Sequence, residues 1–136
     1  MSNPVAAAAF VGIGGFAGSI ARYGLSVFCQ RWSVNWPAGT MAANLLGCFF
    51  VGVIMAISDR TEALSPATRL LLATGFCGGF TTMSSMIYEV AQMLRSGEYF
   101  HASLYLGATL VGCMLAFMIG SAGVRGLIKS GGGLWN

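Results

Sequence analysis

Long apolar runs separated by short polar interruptions dominate this chain. Charge-poor stretches cover residues 4–29, 37–58, 67–95 and 100–124, broken only by single polar residues such as Arg22 in the first and Glu89 in the third. Each is about the 20 residues that an α-helix needs to cross a hydrocarbon layer of roughly 30 Å. The pattern predicts an all-α membrane protein with four transmembrane helices, forming one transmembrane domain over residues 1–136.

The connections are short. Residues 30–36 carry Arg31 and two indoles, Trp32 and Trp36, of the kind that sit at headgroup level. Residues 59–66 carry both charge signs, residues 96–99 contain Glu98, and the Ser-Gly-Gly-Gly stretch after Lys129 is expected to be floppy. The first apolar stretch lacks a charged leader and an A-x-A cleavage signal, so it is expected to stay as the first span.

Composition narrows the function. Apolar residues make up 56% of the chain and charged ones 8%, where a soluble domain carries about a quarter. Four spans leave no room for a soluble catalytic module, so no enzyme is expected. The net charge of +3 comes from scattered single residues without a polybasic run, which argues against nucleic acid as a partner. Cys29, Cys48, Cys77 and Cys113 fall one per apolar segment, and His101 has no ligand partner at metal spacing. These are expected to be packing and helix-end residues.

Basic residues normally favour the cytoplasmic side. Arg60, Arg69, Arg125 and Lys129 fall on the side of the termini, against Arg22, Arg31 and Arg95 on the other. Either displaced span ends hide a bias, or the chain inserts in both orientations. Small residues recur four apart, at Gly14 and Gly18, Ala43 and Gly47, and Gly112, Ala116 and Gly120. Such spacing permits close helix approach in lipid.

The third span is unusual. Its run from Gly75 to Met86 places Gly78 and Gly79 directly before Thr81, Thr82, Ser84 and Ser85. Glycines lower helix propensity, and an interruption at membrane depth survives only where protein, water or an ion satisfies the freed backbone. The sequence therefore predicts a third helix broken at Gly78–Gly79. Its carbonyls suit a monovalent cation, and its hydroxyls offer donors to an anion after Thr81 or Thr82 caps a second half-helix.

Other polar groups lie at membrane depth. Asn44 has two N–H donors for an anion. Arg22 either snorkels or adds positive charge to a vestibule. Glu89 is either a proton carrier or a structural acceptor, and Tyr105 and Thr109 share a face of the fourth span at i, i+4.

Three motifs in order resemble the CrcB/Fluc fluoride channels of bacteria over nearly the whole chain. They are Gly14-Gly15-Phe16-Ala17-Gly18 through Arg22-Tyr23, Pro37-Ala38-Gly39-Thr40 through Asn44-Leu45-Leu46-Gly47, and Gly75-Phe76-Cys77-Gly78-Gly79-Phe80-Thr81-Thr82 through Glu89. The resemblance implies an antiparallel, dual-topology homodimer in the bacterial inner membrane, with two fluoride pores. It further implies a structural sodium ion (Na+) at the dimer centre, held by backbone carbonyls of Gly78 and Thr81 from both subunits. Asn44, Ser84, Ser85, Tyr105 and Thr109 would fall along or near the pores. For a channel the structural role of Glu89 is the expected one, and Arg22 is carried as a vestibule residue beside its snorkelling alternative.

The chain departs from that family at Met83 and Met86, which stand where phenylalanines usually present ring edges to the ion. A thioether methyl can replace such an edge as a weak C–H donor, so both are carried as pore residues. The competing reading is a proton-coupled four-helix exporter using Glu89. Such exporters need an acid in the middle of the first span, where this chain has none.

Overall fold

The computed structural model describes residues 3–33, 36–60 and 63–131, and every regular element among them is helical. Helix α1 (Pro4–Gln30) begins where Asn3 Oδ1 accepts the Val5 N–H at 2.9 Å, with Pro4 in the first turn, where its missing N–H costs nothing. Helix α2 covers Ala38–Arg60. Helix α3, residues 66–80, joins a first turn Pro66–Arg69, a wider π-helical stretch Leu70–Cys77 and a last α-helical turn Gly78–Phe80. Helices α4 (Met83–Arg95) and α5 (Tyr99–Gly131) follow. Four stretches, Pro4–Gln30, Ala38–Arg60, Pro66–Arg95 and Tyr99–Ser130, are long and apolar enough to cross a membrane. The expected four-span, all-α architecture is therefore present.

The expected interruption at Gly78–Gly79 lies elsewhere. Both glycines are helical, and the backbone becomes extended at Thr81 (φ −82°, ψ 155°) and Thr82 (φ −151°, ψ 109°). Gly79 and Gly75 serve close approach instead, since a Cβ at Gly79 would land on the Gly15 carbonyl and one at Gly75 on the Val11 carbonyl, whereas Gly78 faces open space. Threonine, branched at Cβ, suits extended backbone. The fourth span, α5, also runs past residue 124 to Gly131, so Ser130 and Gly131 of the expected floppy tail are helical. The rest of that tail lies outside the described residues.

Backbone-close crossings set the bundle. A Cβ at Gly14 or Gly18 would meet the carbonyl of Leu71 or Phe76 on α3, and one at Gly52 or Gly120 would meet the carbonyl of Phe117 or Phe49 across the α2–α5 contact. These α1–α3 and α2–α5 pairings are the most extensive in the chain, while α4 lies on α5. The two halves of the third span thus have different neighbours, and the Thr81–Thr82 link carries the chain from one to the other. Gly97 (φ 78°) then ends α4, donating its N–H to Leu94, while Glu98 N–H donates to Met93.

Candidate functional site

Polar groups from the apolar spans converge on the Thr81–Thr82 link. Asn44 on α2 matches both backbone groups of Thr82: its Nδ2 donates to the Thr82 carbonyl at 3.1 Å, and its Oδ1 accepts the Thr82 N–H at 2.7 Å. One of the two donors expected to serve an anion is thus committed to the backbone, and one remains. Thr82 also caps α4, its Oγ1 accepting the Ser85 N–H at 3.2 Å and donating to Ser85 Oγ at 3.0 Å, with Ser84 Oγ 3.2 Å away. Ser85 acts there as an acceptor, so its own proton is uncommitted.

Diverted donors leave carbonyls behind. In a continuous helix Thr82 N–H would serve the Gly78 carbonyl and Ser85 N–H the Thr81 carbonyl, yet these go to Asn44 and to Thr82 Oγ1. The Gly79 carbonyl accepts from Arg22 Nε at 3.3 Å and Ser19 Oγ at 3.5 Å, both on α1. Thr81 Oγ1 bonds back to the Cys77 carbonyl at 2.9 Å. The Gly78 and Thr81 carbonyls thus lose the donors a continuous helix would give them.

Glu89 on α4 is held from two sides. Thr40 Oγ1 donates to Oε1 at 2.6 Å and Tyr105 Oη donates to Oε2 at 2.7 Å. Tyr105 is fully buried, with Trp36 edge-on at 5.6 Å between ring centroids and also against His101 at 6.4 Å. Of the two indoles expected at headgroup level, Trp36 therefore caps Tyr105, whereas Trp32 is exposed.

Two of the cavities beside this network are lined by several of its polar groups. The larger, about 430 Å³, is lined by Arg22, Thr40, Ser85 and Glu89 among others, which joins Arg22 and Glu89 in one polar chamber. The other, about 280 Å³, brings together Asn44, Thr81, Met83, Met86 and Thr109. Thr109 Oγ1 is buried without a hydrogen-bond partner. Met83 is 59% exposed and Met86 2%, so the two methionines share a cavity but only one is enclosed by this chain. Tyr105 and Ser84 line neither of these two cavities.

Sequence reasoning missed Thr40 and Ser19 as partners. Thr40 precedes Asn44 by four residues and so shares its helix face, a signal that was available. Ser19 had none beyond its place three residues before Arg22. Cys48 and Cys113, assigned to packing, also line the smaller cavity.

Four stretches of helix long and apolar enough to span a membrane, the third with an extended link at mid-span, define a multi-pass membrane protein. The family model for CrcB-like protein, Camphor Resistance (CrcB), matches residues 9–121. A "Fluoride-specific ion channel FluC" from Prosthecochloris aestuarii is 48% identical over 125 residues, 92% of this chain and 98% of that protein. Proteins of the same name from Chlorobium phaeobacteroides and Leptospira interrogans are 46% and 48% identical over 120 and 103 residues, covering 88% and 75% of this chain and 94% and 81% of theirs. The chain belongs to the CrcB family of bacterial membrane proteins.

Proposed function

We propose that the chain is a passive, fluoride-selective channel of the bacterial inner membrane that lets fluoride leave the cytoplasm. The name carried by its relatives supports this reading, as does the donor chemistry of the site. The observation that carries it is the buried, unpartnered Thr109 hydroxyl in a cavity with Asn44. An orphan polar group at that depth costs roughly 1–3 kcal/mol, and an anion accepting its proton removes the cost. The uncommitted protons of Ser85 and Asn44 and the N-terminal end of α4, whose dipole favours negative charge, extend the same chemistry. Methyl groups of Met83 and Met86 complete the cavity wall as weak C–H donors.

Flow needs no ATP and no proton. A negative interior drives an anion outward with about 2.3 kcal/mol per charge per 100 mV. The exporter alternative asks Glu89 to shuttle protons. Both Glu89 oxygens accept hydroxyl protons from Thr40 and Tyr105, an arrangement that suits a structural acceptor.

The working unit in this reading is an antiparallel, dual-topology homodimer with two pores. Its support is the near-even split of basic residues, four against three, between the two ends of the bundle. Apolar side chains that this chain leaves exposed, such as Ile87 and Met83 on α4, offer a face to a second copy. At its centre, the Gly78 and Thr81 carbonyls of both subunits would hold a sodium ion. A sodium ion there would supply the positive charge that balances these carbonyls, and the diversion of the Thr82 and Ser85 N–H groups away from them supports that fit.

Thr109→Val removes the orphan hydroxyl at nearly constant shape. Fluoride efflux from liposomes is expected to fall at least about tenfold, matching the 1.5–3 kcal/mol of a hydrogen bond to a charged group, while Thr109→Ser retains it. Unchanged flux in a folded Thr109→Val protein would remove Thr109 from the path.

A further inference from the structure

The cysteines are scattered one per span, but the fold gathers two of them. Cys48 on α2 and Cys113 on α5 line the 280 Å³ cavity together with Met83 and Met86 on α4. All four cysteines are free. Four sulfur-bearing side chains thus line one space, and the proposed conduction path uses neither thiol.

We propose that this cavity binds a soft monovalent cation of the copper(I) or silver(I) class, held by the Cys48 and Cys113 sulfurs with Met83 and Met86 as further ligands. Thiolate and thioether sulfur select soft ions over magnesium, calcium or sodium. Zinc requires four strong nitrogen, sulfur or carboxylate ligands. No cluster of three or more His, Cys, Asp or Glu side chains suited to a metal occurs among the described residues.

Charge balance favours the same ions. A silver ion binds one cysteine as the thiolate, which releases one proton to water, while the second thiol and both thioethers coordinate as neutral donors. The loaded site is then neutral overall, so its burial at membrane depth avoids the cost of an unpaired ion. A divalent ion with one thiolate would leave a net positive charge there. Methionine's three rotatable bonds let its sulfur close on an ion, and the exposed Met83 has room to do so.

Asn44 and Thr109 line the same cavity, so a loaded site stands in the anion path. That consequence rests on the proposed channel function; the binding itself does not.

Silver nitrate titrated into the purified protein in chloride-free buffer tests the binding by calorimetry and by proton release. The expected result is one tight silver ion and about one proton per chain. Cys48→Ser with Cys113→Ser should weaken binding by about tenfold or more, whereas Cys29→Ser with Cys77→Ser should keep it. Equal binding by the first pair, or loss of binding in the second, overturns the site. If the first pair does not fold, Met83→Leu with Met86→Leu must weaken silver binding in its place, and no weakening there has the same force. In liposomes, silver should slow fluoride efflux through the parent and the Cys29→Ser, Cys77→Ser protein. Tight silver binding with unaltered efflux would keep the metal site and overturn the cavity's place on the path.

Discussion

Asn44 and Thr82, 38 residues apart in sequence, exchange two hydrogen bonds, amide N–H to carbonyl at 3.1 Å and backbone N–H to amide oxygen at 2.7 Å. The pairing fixes the orientation of the amide, because only the carbonyl oxygen can accept and only the nitrogen can donate. It also holds open the extended link that frees the Gly78 and Thr81 carbonyls.

Asn44→Asp keeps the acceptor and loses the donor, leaving the Thr82 carbonyl without its partner and adding negative charge beside an anion path. Most fluoride flux should disappear, and stability should fall by about 1–3 kcal/mol. Liposome efflux and thermal unfolding in detergent measure the two effects. Parental flux in a folded Asn44→Asp protein would restrict Asn44 to the structural role.

Glu89 and Tyr105 form a charge-assisted hydrogen bond at 2.7 Å. A double-mutant cycle of Glu89→Gln and Tyr105→Phe, read by thermal stability, should give a coupling of about 1.5–3 kcal/mol. Additivity within about 0.5 kcal/mol would mean that the carboxylate is not anchored there.

The legible and illegible parts of this protein divide on physical grounds. Four spans could be read because a 20-residue apolar run has few other uses. The interruption lies three residues beyond Gly78–Gly79, because close packing of α3 on α1 at Gly75 and Gly79 outweighs the low helix propensity of glycine there. Asn44, Glu89 and Tyr105 stood out as polar groups in apolar surroundings, yet their partners lie on other helices. No local spacing encodes such pairs. The use of Cys48 and Cys113 as neighbours depends likewise on the α2–α5 crossing.

Met83→Phe and Met86→Phe should keep selective fluoride flux at an altered rate, because an aromatic edge and a thioether methyl are both weak positive contacts. Met86→Glu should stop it by placing an anion in an anion path. Efflux of Met83→Glu and Met86→Glu proteins equal to the parent's would take both methionines off the pore.

Sodium removal should weaken the proposed dimer. In buffer where N-methylglucamine replaces sodium, thermal stability is expected to fall and to return when sodium is added, as mass action requires of a ligand that binds only the folded state. No change in stability with sodium concentration would contradict a sodium ion between the Gly78 and Thr81 carbonyls.

The most direct test of the central claim is anion efflux from sealed liposomes containing the purified chain, with a potassium shunt to prevent charge build-up. A fluoride gradient is expected to collapse rapidly and an equal chloride gradient to persist. Equal rates for the two anions, or no fluoride efflux from correctly folded protein, would contradict it.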